Sequence, residues 1–224
     1  MIHKNFLFGL PIYHVKINPS LYDKKTILKN IKKNYEIDVN RNTSNEQYGN
    51  LHHSYNDMNN EKFEKIDYKK TGLINVYDDI FKDFANNTLK TKNKFFYRFQ
   101  IENYTATKNN QYMKLHQHLP TTDFATVHYL QFDKTKHQNT VFLNMNDFGP
   151  YISFVRPDLL NCADSSNLDN SYLFPNFSYA VEEDDMIIFP SVLKHEIPEK
   201  NNNSNKLRVT VVCNLTIQNK NFND

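Results

Sequence analysis

Tyr112-Met113-Lys114-Leu115-His116-Gln117-His118 carries two histidines one residue apart. On an extended strand the side chains at i and i+2 share a face, so His116 and His118 are placed to grip one ion together. A third ligand has to come from elsewhere, and a second stretch offers it: Asp184-Asp185-Met186-Ile187-Ile188-Phe189-Pro190-Ser191-Val192-Leu193-Lys194-His195. Its two acids suit a turn and its apolar run reads as a buried strand. Pro190 stops ladder pairing, and His195 emerges just beyond. Thirteen residues later Arg208 opens another extended run, with Thr210 on the same face. A guanidinium and a hydroxyl so placed can bind a carboxylate, which arginine grips through two parallel hydrogen bonds.

Working outward, residues 6 to 17 read as an opening strand. Ser20 offers a helix N-cap with Asp23 three residues on, and Leu21, Ile27, Leu28 and Ile31 supply an apolar face, which predicts a helix over about 20–34. Asn40 to Asn60, rich in Asn, Ser and His, reads as a long surface loop holding His52 and His53. Val76, Tyr77, Ile80, Phe81 and Phe84 recur at steps of three and four, so a second amphipathic helix is expected over about 72–89, packed against a sheet. After Lys94 short extended runs take over: 95–104, 111–118, 126–132, 140–145, 151–155, 185–189 and 208–217. Helices first and strands after point to a mainly β, or α+β, domain with helical support on one side. The stretch from Arg156 to Tyr179 is a candidate lid or substrate loop, and Asn201 to Asn205 reads as a polar turn.

A chain of 224 residues suits one large β-rich domain. Its 17 Phe and 14 Tyr, with the aliphatic residues, suffice for a packed core and exclude whole-chain disorder. The low mean hydropathy of −0.72 comes from Asn and Lys on the surface. A formal charge of +2 with the signs well mixed gives no basic stripe of the kind nucleic-acid binding needs, and the lysine pairs at 24–25, 32–33 and 69–70 read as solvated helix faces. Cys162 and Cys213 form no CxxC, which fits a reducing cytoplasm; Cys213, in the apolar run 209–215, reads as a buried thiol rather than a nucleophile. The start of the chain lacks the pattern of a secretory signal, and no run approaches the length of a membrane span. The Asn-x-Ser/Thr triplets are those expected by chance in an Asn-rich chain, a composition that fits an AT-rich genome, such as that of a phage.

These residues together resemble the 2-oxoglutarate and Fe(II)-dependent dioxygenases, and among them the small prolyl-hydroxylase-like proteins of phage and bacterial genomes. The resemblance covers about residues 95–217 and rests on His116-Gln117-His118 followed by Val127-His128-Tyr129-Leu130. It rests further on the Asp185 to Ser191 stretch before His195 and on Arg208-Val209-Thr210 before Cys213-Asn214-Leu215; the opening Leu7 to Tyr13 is similar as well. It implies a double-stranded β-helix, or cupin-like jelly roll, with supporting N-terminal helices in residues 1–94. His116, His118 and His195 would hold Fe(II), with three ligands on one face and the opposite face left for cosubstrate and O₂. Arg208, helped by Thr210, would bind the distal carboxylate of 2-oxoglutarate, and Tyr129 matches a tyrosine that hydrogen-bonds the same cosubstrate. The implied reaction is hydroxylation of a C–H bond with succinate and CO₂ as coproducts, on a substrate whose default is a prolyl or other protein side chain, with a small metabolite or nucleobase as alternatives.

Two departures matter. The wider superfamily has His-x-Asp or His-x-Glu where this chain has His116-Gln117-His118, which leaves one more unit of positive charge on the metal complex; Asp123 is the alternative third ligand from the following turn. Asp184 stands where relatives tend to have Gly, which alters a turn. A lone histidine is usually a surface or satisfied core residue, and His3, His14, His52, His53 and His137 are read so; His128 joins them because strand alternation sets it opposite Tyr129. Tyrosine in an aromatic-rich barrel often serves packing. Two further classes remain open: a jelly-roll binding or structural protein without turnover, and a three-histidine metal dioxygenase that needs no 2-oxoglutarate, for which Arg208 and Thr210 would be superfluous.

Overall fold

The computed structural model describes residues 2–7, 9–39, 49–57, 61–90, 95–108, 110–118, 122–146, 148–199 and 206–219. In chain order its elements are β1 (Ile2–Leu7), β2 (Leu10–Lys16), α1 (Lys24–Val39), β3 (His52–His53), α2 (Leu73–Asp83), β4 (Phe95–Thr107), β5 (Met113–His116), β6 (Phe124–Gln131) and β7 (Val141–Leu143). They continue with α3 (Phe148–Val155), α4 (Pro157–Cys162), β8 (Asn176–Ser178), β9 (Asp185–Pro190), β10 (His195–Ile197) and β11 (Arg208–Asn219). The strands form a seven-stranded sheet, β1-β2-β9-β6-β11-β4-β3, and a four-stranded sheet, β5-β10-β7-β8. All the pairings are antiparallel. The fold is mainly β with few helices, as the order of patterns along the chain predicts.

Alternation divides each central strand between two cores. From β6, Ala125, Val127 and Tyr129 join Ile187 and Phe189 of β9 and meet Phe142 and Phe177 of the smaller sheet; Phe142 and Phe189 pack edge to face, centroids 5.0 Å apart. Leu130 of β6, Met186 and Ile188 of β9, and Val209, Val211, Cys213 and Leu215 of β11 face the other way. There they pack on Ile27 and Ile31 of α1 and Leu73, Val76, Tyr77 and Phe81 of α2. β9 is covered on both faces, which is why its sequence is an unbroken apolar run rather than an alternation. Burying Met186, Ile187, Ile188 and Phe189 contributes up to about 6–12 kcal/mol before chain entropy is charged against it. Buried Cys213 has its thiol pushed up by desolvation, as a structural thiol should.

Four expectations change. The opening strand is a hairpin, β1 with β2, which turns at Gly9 with φ +80°. The first helix begins at Lys24 because Asp23, not Ser20, accepts the Thr26 amide at 3.0 Å; Ser20 lies in a short 3₁₀ turn capped by Asn18, so Leu21 is exposed. Tyr151 to Val155, aromatic and β-branched, is helical as part of α3: Pro150 stands in the first turn and Pro157 opens α4 directly behind. Within the stretch read as a surface loop, residues 40–48 and 58–60 lie outside the described residues, while His52 and His53 form β3 against Thr105 and Ala106, both buried. The Arg156 to Tyr179 stretch holds α4, a 3₁₀ turn and β8, and the polar turn at 201–205 lies outside the described residues. No helix among the described residues is long and apolar enough to cross a membrane.

Candidate active site

His116 ends β5 and His195 opens β10, and the two are cross-strand partners. His118 continues the extended chain beyond β5, where its amide bonds the Ser191 carbonyl at 3.0 Å. β9 ends at Pro190, which has no amide to extend the ladder. A turn closed by the Leu193 amide on the Pro190 carbonyl at 3.0 Å sends the chain back as β10 with His195 facing the other two. The ring centroids lie 4.2 Å apart for His116 and His195, 5.2 Å for His118 and His195, and 5.4 Å for His116 and His118. One nitrogen from each ring lies within 4.8 Å of the others, the one group of three or more His, Cys, Asp or Glu among the described residues to come together so closely.

Hydrogen bonds decide which nitrogen that is. His116 Nδ1 meets the Lys114 carbonyl at 2.8 Å and His195 Nδ1 meets the Leu193 carbonyl at 3.0 Å. A carbonyl only accepts, so each Nδ1 carries the proton and each Nε2 keeps its lone pair. His118 Nδ1 donates to Asn214 Oδ1 at 3.1 Å, and its Nε2 is buried with no partner. Burial pushes all three imidazoles below the ordinary histidine range, His118 to about 4 and His195 well below it, with the neighbouring rings adding to the shift in those two. Three neutral rings with converging lone pairs are a fitting donor set for a borderline divalent metal. Asp123 takes no part: it is exposed, and its Oδ2 accepts the Ile217 amide at 2.8 Å.

A cavity of about 150 Å³ runs from this cluster to Arg208, bounded also by His53, Tyr55, Asn103, Thr105, Thr140 and Thr210. Arg208 is buried; its Nε donates to the Gln138 carbonyl at 2.9 Å and one Nη reaches Thr140 Oγ1 at 3.4 Å. Its guanidinium lies 5.3 Å from the Tyr129 ring centroid, and Nη1 is buried without a partner. A desolvated cation with an unused donor is a site for an anion. Thr210, two residues on, shares a hydrogen bond of 2.7 Å with Thr105 across β4 and β11.

Tyr129 is fully buried among the inter-sheet aromatics, does not line the cavity, and donates its hydroxyl to Thr140 Oγ1 at 2.7 Å. It therefore reaches the cavity only indirectly, through that threonine and through the Arg208 guanidinium beside its ring. Thr140, Thr105, Asn103, His53 and Tyr55, which line the cavity, and Asn214, which bonds His118, have no signal in the local pattern, because register brings them there. Of the remaining histidines, His52 is satisfied between Asp38 (2.8 Å) and Tyr104 (3.1 Å) and His137 between the Asp133 amide (2.9 Å) and the Lys206 carbonyl (3.0 Å), while His14 Nε2 lies 3.1 Å from Asp185 without a well-aligned hydrogen bond. His128 sits on the helix side against Tyr77 at 2.9 Å, opposite Tyr129 as alternation requires. His53 differs, since it lines the cavity.

No protein-family model matches the chain, and no curated protein matches it in sequence. Solved structures do resemble it. A prolyl-4-hydroxylase of Pseudomonas putida superposes with a TM-score of 0.50 over 93% of this chain and 92% of that one, at 8% identity. A prolyl hydroxylase of Trichoplax adhaerens, solved with a peptide fragment of the hypoxia inducible factor oxygen degradation domain, gives 0.51 over 91% and 83%, at 11% identity. At such identities the likeness is one of fold.

Proposed function

We propose, from a fold of the 2-oxoglutarate and Fe(II) oxygenase type, that the protein is an Fe(II)- and 2-oxoglutarate-dependent dioxygenase, built as a single jelly-roll domain and working in the cytoplasm. The observation that carries this reading is the pairing, in one cavity, of three free imidazole lone pairs with a buried guanidinium whose Nη1 has no partner. His116, His118 and His195 hold the metal through Nε2. Bound there, Fe(II) supplies the two-electron activation of O₂ that protein side chains lack. Arg208 and Thr210 receive the distal carboxylate of 2-oxoglutarate, with Tyr129 acting at one remove through Thr140. One oxygen atom enters the substrate C–H bond as hydroxyl and the other enters succinate, while the cosubstrate loses CO₂. The narrow, largely buried cavity keeps water from the reacting atoms. A protein prolyl side chain is the default substrate.

A three-histidine dioxygenase without 2-oxoglutarate has one observation in its favour, the neutral His118 in place of a carboxylate; the spare Nη1 donor of Arg208 weighs against it. Anaerobic titration of the apoprotein with Fe(II) and then 2-oxoglutarate separates them. A weak visible charge-transfer band that requires both components supports the proposal. Iron that binds without response to 2-oxoglutarate overturns it in favour of the second reading, and no iron binding leaves a scaffold without turnover.

A further inference from the structure

Two of the three histidines are oriented by their own neighbourhood: His116 and His195 each bond a backbone carbonyl two residues upstream. No substitution removes a backbone carbonyl, so those two tautomers are built into the chain path. His118 is different. Its Nδ1 bond runs to a side chain 96 positions away, Asn214 Oδ1, at 3.1 Å. Asn214 stands in the middle of β11, paired to Ala125 of β6 on one side and Gln100 of β4 on the other, so its backbone is held from both flanks. Arg208, Thr210, Val212 and Asn214 alternate along the face of β11 opposite Val209, Val211, Cys213 and Leu215, which pack on the helices.

We propose that Asn214 is the positioning residue of the site, whose amide oxygen holds His118 in the Nδ1–H form and so points its bare Nε2 at the metal. The inference rests on the metal reading of the three histidines. Its physical basis is that a neutral imidazole can donate from one nitrogen only. With Asn214 accepting at Nδ1, the orphaned Nε2 of His118 must be the lone pair. With the amide reversed, Nδ1 would accept and the proton would sit on Nε2, in the way of an ion. An outer partner also raises ligand basicity, which matters more where the ligand is a neutral ring rather than a carboxylate. β11 thus serves both ends of the site: Arg208 for the anion, Asn214 for the third ligand.

The test uses the full chain, ¹⁵N-labelled at histidine, as wild type, Asn214→Asp and Asn214→Leu. Two-bond ¹H–¹⁵N correlation spectra of the metal-free protein report the proton position on His118, and titration with Co(II) reports affinity through its visible absorption. The expected result is Nδ1–H in wild type and in Asn214→Asp, whose carboxylate keeps the acceptor, with Co(II) bound at least as tightly by the Asp variant. Asn214→Leu should shift the proton toward Nε2 and weaken Co(II) binding 10–100-fold, with a dispersed spectrum showing that the fold survives. A proton on Nε2 in the wild type overturns the inference. So does a Leu variant that binds Co(II) within twofold of wild type, or an Asp variant that loses it. Wild type that shows Nδ1–H yet takes up no Co(II) refutes the metal reading instead, and the tautomer pattern across the variants then decides the role of Asn214 alone.

Discussion

Replacing Arg208 with methionine should move two measurements in opposite directions. The guanidinium is buried, and burial lowers its pKa from the ordinary arginine value, so the fold already bears the cost of desolvating a charge. What it recovers in the metal-free protein is modest. The bond to the Gln138 carbonyl at 2.9 Å is worth about 1.5–3 kcal/mol, the 3.4 Å contact to Thr140 adds little, and the aromatic contacts at 5.3 and 5.9 Å from Tyr129 and Phe132 add roughly 1 kcal/mol. Against these stand a desolvation penalty of several kcal/mol and an unpartnered Nη1 that costs about 1–3 kcal/mol. Methionine of similar length fills the space but leaves the Gln138 carbonyl without its donor. The balance is a variant between about equal to wild type and 2 kcal/mol more stable, and in a chain of this size 1 kcal/mol moves Tm by about 2–4 °C. If 2-oxoglutarate binds as proposed, its carboxylate completes the guanidinium, so its affinity should fall by about 3–5 kcal/mol, a loss of more than a hundredfold. Thermal melts of both proteins, with and without 2-oxoglutarate and Fe(II) under anaerobic conditions, read both quantities. The reasoning fails if Arg208→Met melts more than about 4 °C below wild type without ligand, or if 2-oxoglutarate raises the Tm of the variant as much as that of wild type.

Other outcomes follow from the same geometry. His118→Ala should abolish Co(II) binding while Asp123→Ala leaves it within twofold, since Asp123 is engaged by the Ile217 amide; isothermal titration with the two variants settles which residue is the third ligand. Tyr129→Phe should cost about 1 kcal/mol in urea unfolding, the worth of the bond to Thr140, yet change 2-oxoglutarate affinity less than threefold. Burial pushes His53 down to about 4 and His128 to about 3, so the unfolded chain takes up protons below about pH 6.5 where the fold does not. Stability from these two is complete above that value and declines as pH falls, by roughly 2 kcal/mol each at pH 5. Metal-free urea titrations at pH 7 and pH 5 should show at least that loss, since His116, His118 and His195 are shifted the same way and add to it, and His128→Leu should remove its share.

The sequence exposes the parts of the site whose chemistry is carried by residue type. His116, His118, His195 and Arg208 are rare side chains at strand spacing, and the structure gathers all four around one cavity. Thr140, Thr105 and Asn214 are hidden for a physical reason: their place depends on which residues face one another across strands. That register is offset by irregularities near Val212 and Cys213 in one ladder and Val209 and Val211 in the other. At the level of elements, strong periodicity in α2 and the apolar run of β9 read correctly. Tyr151 to Val155 did not, because two prolines outweigh β propensity there. β8 is three residues, Asn176-Phe177-Ser178, too short and polar to signal itself. Asp184 takes φ +67°, the left-handed region in which Asp is tolerated and Gly favoured, and Lys24 holds its carboxylate at 2.6 Å.

From Val209 to Leu215 β11 is paired on both edges and largely buried on both faces, and successive residues point to opposite sides. A single-residue deletion between Arg208 and Asn214 would invert one end relative to the other, sending either the cation or the amide into the helix-side core and a valine or leucine into the cavity. Change in this site is therefore confined to substitution at fixed positions. Gains and losses of length must fall in the connections before and after the strand, so natural or engineered diversity should show a constant six-residue interval from Arg208 to Asn214 beside freely varying loops.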